Sequence, residues 1–205
     1  GCSSQSGVLP IYNSNNNIIS GGIINLSKNN LVYLDISSNN IFRDIQLINA
    51  TKNDAFLNSS SINNTFLNVT YNISKEYVSL NSRLIRKWYY QAYVNDTKGN
   101  AVANANVSAY NKINNLTTRE MTNSSGWINK TEIIDYINLG GTRDYYSPYT
   151  ITAVNETAVG YHRDYNASLG NNLNDFITID VVAPDIDFIA PTRPNDETQT
   201  WVGIF

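Results

Sequence analysis

Ser14-Asn-Asn-Asn17-Ile18 returns 23 residues later as Ser37-Ser-Asn-Asn40-Ile41, and after 24 more as Ser61-Ile-Asn-Asn64. Tyr33-Leu34-Asp35 matches Phe56-Leu57-Asn58 at a spacing of 23. Ile24-Asn25, Ile48-Asn49 and Tyr71-Asn72 also fall in register, at spacings of 24 and 23. Three independent positions therefore share one period, and internal repetition decides the fold of the first 82 residues. A unit this short cannot bury its own apolar side chains. Stacked coils can, because Ile then lies on Ile and Leu on Leu, with rungs ~4.8 Å apart. Asn suits the corners: it tolerates the left-handed turn conformation, and in register its amide can bond up and down the stack.

A leucine-rich repeat is the rival, but its Leu-x-x-Leu-x-Leu frame does not recur at fixed spacing here. On the repeated Ser/Asn corners and Ile/Leu strands, residues 8–82 resemble the right-handed parallel β-helix repeats of many secreted and archaeal surface proteins. That resemblance implies a fold and little about activity, since such repeats serve lyases, hydrolases, adhesins and surface layers.

From Arg83 the pattern changes. Leu84-Ile-Arg-Lys-Trp88-Tyr-Tyr-Gln-Ala-Tyr93-Val94 alternates apolar side chains and runs into the turn sequence Asn95–Asn100. Further strands are expected at Ala103–Tyr110, with Ala105, Val107 and Ala109 on one face, and at Leu116–Thr122, Gly126–Ile134, Tyr149–Val154, Val159–Tyr165 and Phe176–Val182. Short strands, Gly/Asn/Pro turns and no helical period predict a β-sandwich. Asp96-Thr-Lys-Gly99-Asn-Ala-Val102-Ala-Asn-Ala105-Asn-Val107, followed by Thr122-Asn-Ser-Ser-Gly126-Trp127, resembles the carboxypeptidase regulatory-like family of immunoglobulin-type modules over residues 86–135. In that family the Gly-x-x-Val-x-x-Ala-x-Val pattern makes the first hairpin. The expected fold is thus all-β: parallel β-helix coils over 1–82, an immunoglobulin-like β-sandwich over 83–182, and a segment 183–205. The last part, from Ala183-Pro-Asp-Ile to Pro191-Thr-Arg-Pro194, reads as a linker into a further module or as a contact tail. Gly1-Cys2 begins inside an ongoing pattern and Trp201–Phe205 reads as a strand starting. The expectation is a processed product or the ordered part of something longer.

Composition narrows the function. Charged residues make up 15% of the chain and the net charge is −3, against roughly 25% charged in an average domain. The polar surface comes instead from 33 Asn, 19 Ser and 16 Thr among 205 residues. An acidic chain without a basic run argues against nucleic acid. No apolar run of ~18 residues exists to span a membrane. One Cys, Cys2, permits no intrachain disulfide and is read as a packed solenoid residue, and no Cys/His cluster suits zinc.

The strongest chemical signal is the N-glycosylation acceptor Asn-x-Ser/Thr. It occurs 13 times, at Asn25, Asn49, Asn58, Asn63, Asn68, Asn72, Asn95, Asn106, Asn115, Asn123, Asn129, Asn155 and Asn166. Random order of 33 Asn and 35 Ser or Thr in 205 residues gives about 5.6. Seven of the 13 lie beyond residue 82, where no coil corner demands the pattern. Dense N-glycosylation is expected; it would supply solubility and shield strand edges. Asn25, Asn49 and Asn72 are expected to stack, where three glycans would compete for space, so these sites are expected to be partly occupied or to serve as an Asn ladder.

Catalytic chemistry is poorly supplied. A sugar-cleaving β-helix needs converging carboxylates, or a calcium site with a basic residue. The solenoid's acids are Asp35, Asp44, Asp54 and Glu76, read as a solvated surface, with Arg43 and Asp44 on opposite faces of a strand. His162 is expected on a strand surface and the Asp96–Asn100 turn as a hairpin without a metal. The aromatic residues Tyr136, Tyr145, Tyr146, Tyr149, Tyr161 and Tyr165, with Trp127 and Trp201, divide between core, interface and sugar stacking. Tyr145, Tyr146, Tyr149, Trp201 and Phe205 are the candidate interface.

Three functions compete. The first is a structural, glycosylated extracellular protein, a surface-layer, sheath or filament subunit that binds copies of itself through strand edges, solenoid ends and aromatic patches, with no cofactor beyond covalent glycans and no enzymatic activity. The second is an adhesin or carbohydrate-binding module that contacts surface glycans. The third, a polysaccharide lyase or hydrolase fragment, lacks its residues in this stretch.

Overall fold

The computed structural model describes residues 7–169 and 172–180. It is all-β, 64% strand and 3% helical, with a β-solenoid of about four turns. The solenoid runs through β1 (Gly7–Tyr12), β2 (Ile18–Ser20), β3 (Ile23–Ser27), β4 (Asn30–Asp35), β5 (Ile41–Ala50), β6 (Asn53–Asn58), β7 (Asn64–Thr70) and β8 (Glu76–Val78), with a 3-10 turn at Ile73–Lys75 before β8. The remainder comprises β9 (Arg83–Asp96), β10 (Asn106–Tyr110), β11 (Leu116–Met121), β12 (Thr131–Leu139), β13 (Thr142–Tyr145), β14 (Tyr149–Asn155), β15 (Ala158–Tyr165) and β16 (Asn172–Ile179).

Within the solenoid every pairing is parallel and the period is visible as register. Tyr33, Leu34 and Asp35 pair with Phe56, Leu57 and Asn58, and Ile18 with Ile41. One wall is ordered β1-β4-β6-β8, and the other continues β7-β5-β2 with β3 also on β5. Between the walls, Leu31, Val32, Leu34, Phe42, Ile45, Leu47, Leu57, Phe66 and Val69 form one dry core.

The corners do what the repeated Ser and Asn predict. Asn17 donates its side-chain amide to Asn40 at 2.8 Å, and Asn40 to Asn64 at 3.0 Å. The backbone amides of Asn17 and Asn40 use the same two acceptors. A parallel seryl line runs from Ser14 N to Ser37 Oγ, Ser37 N to Ser61 Oγ and Ser61 N to Ser82 Oγ. Asn16, Asn39 and Asn63 take left-handed φ values of 61°, 58° and 57°, a region that Asn enters at low cost.

Three local expectations are corrected. The Asn25–Asn49–Asn72 stack stops after its first step: Asn49 donates to Asn25 at 3.0 Å, but Asn72 caps the 3-10 turn by accepting from Ser74 N. Arg43 and Asp44 are both exposed, because Asp44 sits at φ 57° and breaks the alternation of β5. Glu76 and Asp54 are not solvated acids: the Glu76 side chain has 0% exposure and Asp54 is buried.

β9 ties the molecule together. Its 14 residues alternate buried and half-buried throughout. Leu84–Lys87 pair in parallel with Asn64–Leu67 as the next rung, whereas Tyr90–Asp96 pair with β16 and much of the strand's other edge with β12. Leu84 belongs to the solenoid core, and Trp88, Tyr90, Ala92 and Val94 to the second one. Across that second core lies the sheet β11-β10-β14-β15, contributing Val107, Ala109, Ile151, Ala153 and Tyr165. Ala105, Val107 and Ala109 are all buried, as their spacing predicts. β10 begins at Asn106 and not Ala103 because Asn104 turns at φ 58°. β12 begins only at Thr131 because Trp127 makes an isolated bridge to Tyr93 before it. β13 has no counterpart among the strands expected from the alternation.

Candidate functional site

The first coil is built differently from those beneath it. Its inward residues Leu9, Ile11, Ile19 and Ile24 lie over Val32, Leu34, Phe42 and Leu47. The lower four are 0–1% exposed, whereas the upper four are only half-buried. Among the described residues nothing stacks on their other side, and β1, β2 and β3 each have one unpaired edge. Val8, Ile18, Ile23 and Leu26 stand exposed around them. Asn17 ends the amide ladder among the described residues. An exposed parallel edge above a half-covered apolar row is a template for one more rung.

A polar seam lies at the other end of the solenoid, beside β8, which ends its wall. Glu76 accepts from Tyr71 and from Tyr136 at 2.5 Å on one oxygen, and from Asn138 at 2.6 Å and Arg143 Nε at 2.8 Å on the other. Arg143 also donates to the Ile73 carbonyl at 2.6 Å. Beside it Arg86 lies over the rings of Tyr71 and Trp88 and pairs at 3.3 Å with Asp135. Asp135 in turn accepts from Ser168 and Trp88. Burial, and then the Glu76 carboxyl group, push the Tyr71 and Tyr136 phenols well above their ordinary value. Both oxygens of Glu76 are engaged in structure, so the seam fixes the solenoid to β12 and β13.

A second buried carboxyl group, Asp175, accepts from Tyr90 at 2.5 Å and meets His162 Nδ1 at 2.6 Å. His162 is therefore a partly exposed strand residue with a buried carboxylate behind it. A nucleophile in reach of the ring would be needed for acyl transfer; the described contacts of His162 are Asp175 and the Tyr165 ring. A shallow cleft of about 420 Å³ runs past Asn49, Asp54, Tyr71, Asn72 and Lys75. It holds one carboxylate, Asp54, which accepts from Asn72 N, and one cation, Lys75, which donates to the Ala50 carbonyl at 2.5 Å. Among the described residues no three His, Cys, Asp or Glu side chains gather as a metal site, and no helix is long and apolar enough to cross a membrane. The Asp96–Asn100 turn is closed by its own bonds: Asp96 accepts from Lys98 N and from both nitrogens of Asn100. Those bonds from Asn100 hold the Asp96 carboxyl below its usual range.

None of the 13 sequon asparagines is buried: Asn25, Asn49, Asn63, Asn72, Asn115, Asn123, Asn129 and Asn166 are exposed, and Asn58, Asn68, Asn95, Asn106 and Asn155 half-buried. The buried asparagines Asn30, Asn40, Asn64 and Asn138 are all outside sequons. Glycosylation modifies Nδ2, and the fold treats that atom in two ways. Asn49, Asn58, Asn68 and Asn155 donate it to Asn25, Asp35, Asp44 and the Ala103 carbonyl. Asn72, Asn123 and Asn166 use Oδ1 as a turn acceptor, leaving Nδ2 outside those bonds.

The tyrosine interface separates. Tyr149 is fully buried at the start of β14 and donates to the Ile134 carbonyl at 2.9 Å, so it cannot face a partner. Tyr146 packs half-buried on the same core, and Tyr145 alone is exposed, edge-on to Tyr136. Trp201 and Phe205 lie outside the described residues, as do Cys2 and the segment 183–205.

Sequence reasoning missed Glu76, Arg143 and the Asp175–His162 pair. Apart from Tyr71, the side-chain partners of Glu76 lie 60–67 residues away, and Asp175 meets residues 13 and 85 positions away, so no local pattern marks them. The described residues thus form a β-solenoid whose first described coil is half-covered, joined by a polar seam to two facing sheets. No protein-family model matches the chain, and no curated protein matches its sequence.

Proposed function

We propose that this chain is a structural, N-glycosylated extracellular protein that builds a surface layer, sheath or filament with further copies of itself. The observation carrying the proposal is the first described coil, where Leu9, Ile11, Ile19 and Ile24 are half-covered and β1, β2 and β3 each keep an edge that is unpaired among the described residues. Monomeric proteins blunt or cover such edges. At the other end β9 continues one wall and Glu76 bonds into β12 and β13, while β8 ends the other wall, so the two ends differ and association has a direction. A head-to-tail contact of this kind closes into a ring or propagates as a filament. The two facing sheets, read as an immunoglobulin-like module on the Gly99–Val107 and Thr122–Trp127 motifs, form the lateral docking body. The exposed or half-buried position of all 13 sequon asparagines supports an outer coat of glycan over strand edges and exposed apolar residues. The resemblance of the coils to archaeal surface proteins supports the extracellular setting.

Electron microscopy of the native material, with glycan mass analysis on the same sample, tests this reading. Ordered filaments or sheets carrying sugar on several sequons are expected. Discrete, unglycosylated monomers would overturn it in favour of an adhesin or binding fragment.

A further inference from the structure

On the outer face of β9, Tyr93 stands between Phe176, its pairing partner on β16, and Trp127, to which it forms an isolated antiparallel bridge. The three rings make one row across neighbouring strands, with centroids 5.2 Å (Tyr93–Trp127), 5.9 Å (Tyr93–Phe176) and 6.1 Å (Trp127–Phe176) apart. Phe176 is 63% exposed and Tyr93 and Trp127 are half-buried, so the row presents an aromatic surface that is only partly covered by the described residues, a feature of binding surfaces.

Two sequons bracket it. Asn95 follows Tyr93 by two residues and Asn129 follows Trp127 by two, and the residues between, Val94 and Ile128, are buried. Each asparagine therefore emerges on the same face as its aromatic neighbour. The Trp127 segment runs antiparallel to β9, with Ile128 N donating to the Ala92 carbonyl and Val94 N to the Gly126 carbonyl, so Asn95 lies to one side of the row and Asn129 to the other, each about 6–7 Å along the extended chain. Gln91, which donates to the Ile128 carbonyl at 3.0 Å, marks the Asn129 side. Thr178 marks the Asn95 side, donating to Asn95 Oδ1 at 2.9 Å and leaving Nδ2 outside that bond. Asn129 is exposed.

We propose that the Tyr93–Trp127–Phe176 row is the resting surface of the chain's own glycans, with the innermost sugars on Asn129 and Asn95 laid over the rings. This rests on the glycosylation reading given above and specifies what two of those glycans do. The negative face of an aromatic ring attracts the polarised C–H bonds on one side of a pyranose as it attracts the positive edge of another ring. The covalent link to Nδ2 holds the sugar beside the patch, so docking does not have to repay the entropy of bringing in a free ligand. Glycan and patch together convert an exposed apolar row into a covered one, and the sheet edge near it is shielded from pairing.

Glycopeptide mass spectrometry on the native protein first establishes occupancy at Asn95 and Asn129. Acrylamide quenching of Trp127, isolated by subtracting a Trp127→Phe variant, is then compared between the glycosylated full chain and the Asn129→Gln and Asn95→Gln variants from the same source. Trp127 is expected to be protected in the glycosylated chain and to lose that protection in Asn129→Gln. The loss of melting temperature caused by Asn129→Gln is expected to shrink when Phe176→Ser is already present, a change on the exposed side of the sheet that leaves both cores intact. Sugar at both positions with Trp127 equally quenched in every variant overturns the proposal while leaving the glycosylation reading standing. Native protein unmodified at both positions overturns the docking together with glycosylation at these two sites. Protection that follows protein concentration instead of glycosylation assigns the patch to a second copy and also overturns it.

Discussion

The two halves of the molecule bury similar kinds of side chain by opposite routes. In the solenoid each residue meets its equivalent 23 or 24 positions on, as Leu34 meets Leu57 and Asn40 meets Asn64. Stability there is a sum over rungs, so a coil with a neighbour on one side only is the weakest. In the second half, β10 and β14 join residues about 40–50 positions apart, and β16 returns to β9 over more than 80. That core forms as a unit or not at all. The contrast implies that the solenoid can be lengthened or frayed rung by rung, whereas the two-sheet half is a fixed body.

The sharpest break of this contrast is Gly160→Val. A Cβ at Gly160 would run into the Thr178 carbonyl and the side chains of Ile177 and Ile179. The expected loss is about 4 kcal/mol, seen by calorimetry as a lowered transition of the second core while the amides of β4–β6 keep their exchange protection. Next, Arg143→Ala leaves the buried Glu76 without the cation that pairs with it at 2.8 Å and costs about 3 kcal/mol. In a two-transition melt it should separate the halves. The same seam gives an alkaline limit. The Tyr71 and Tyr136 pKa values are raised in the folded state, so their contribution is fully present below the unfolded value, about pH 10. It declines as the pH rises above that, and Tyr136→Phe should flatten the decline in a melting series taken from about pH 8 to 12.

Asn40→Ala removes the middle of the ladder and strands the backbone and side-chain amides of Asn17 that it accepts. A cost of about 2 kcal/mol is expected, confined to the coils on either side and read by hydrogen exchange of β1, β2 and β5. The smallest effect has the opposite sign. Ile36 is held at φ 48° in a position where the preceding coil places Asn13 at φ 45°. Ile36→Asn should therefore stabilise by about 1 kcal/mol, measured as a raised midpoint in denaturant.

The same contrast explains what the sequence disclosed. A rung repeated at fixed spacing can be read by eye, and the Ser37/Ser61 and Asn40/Asn64 ladders stand where the repeat puts them. The Asn72 step fails because Asn72 starts a 3-10 turn, which the repeat does not encode. In the second half, alternation exposes strands such as β9 and β14, but Glu76, Arg143 and Asp175 acquire meaning only through partners brought in by topology. Tyr149 reads as part of a tyrosine-rich surface; the alternation of β14 turns it inward. The aromatic row with its flanking Asn95 and Asn129 is legible as two Tyr/Trp-x-Asn spacings, yet only the bridge between Tyr93 and Trp127 joins them.

The central proposal is that assembly adds a copy onto the first described coil. Hydrogen exchange of the native assembled material, compared with the same protein dissociated to monomer, measures this at the residues concerned. The account predicts that the amides of β1, β2 and β3, from Gly7 to Ser27, become protected on assembly while those of β4 to β7 hardly change. Equal exchange of Gly7–Ser27 in assembled and dissociated protein would contradict it.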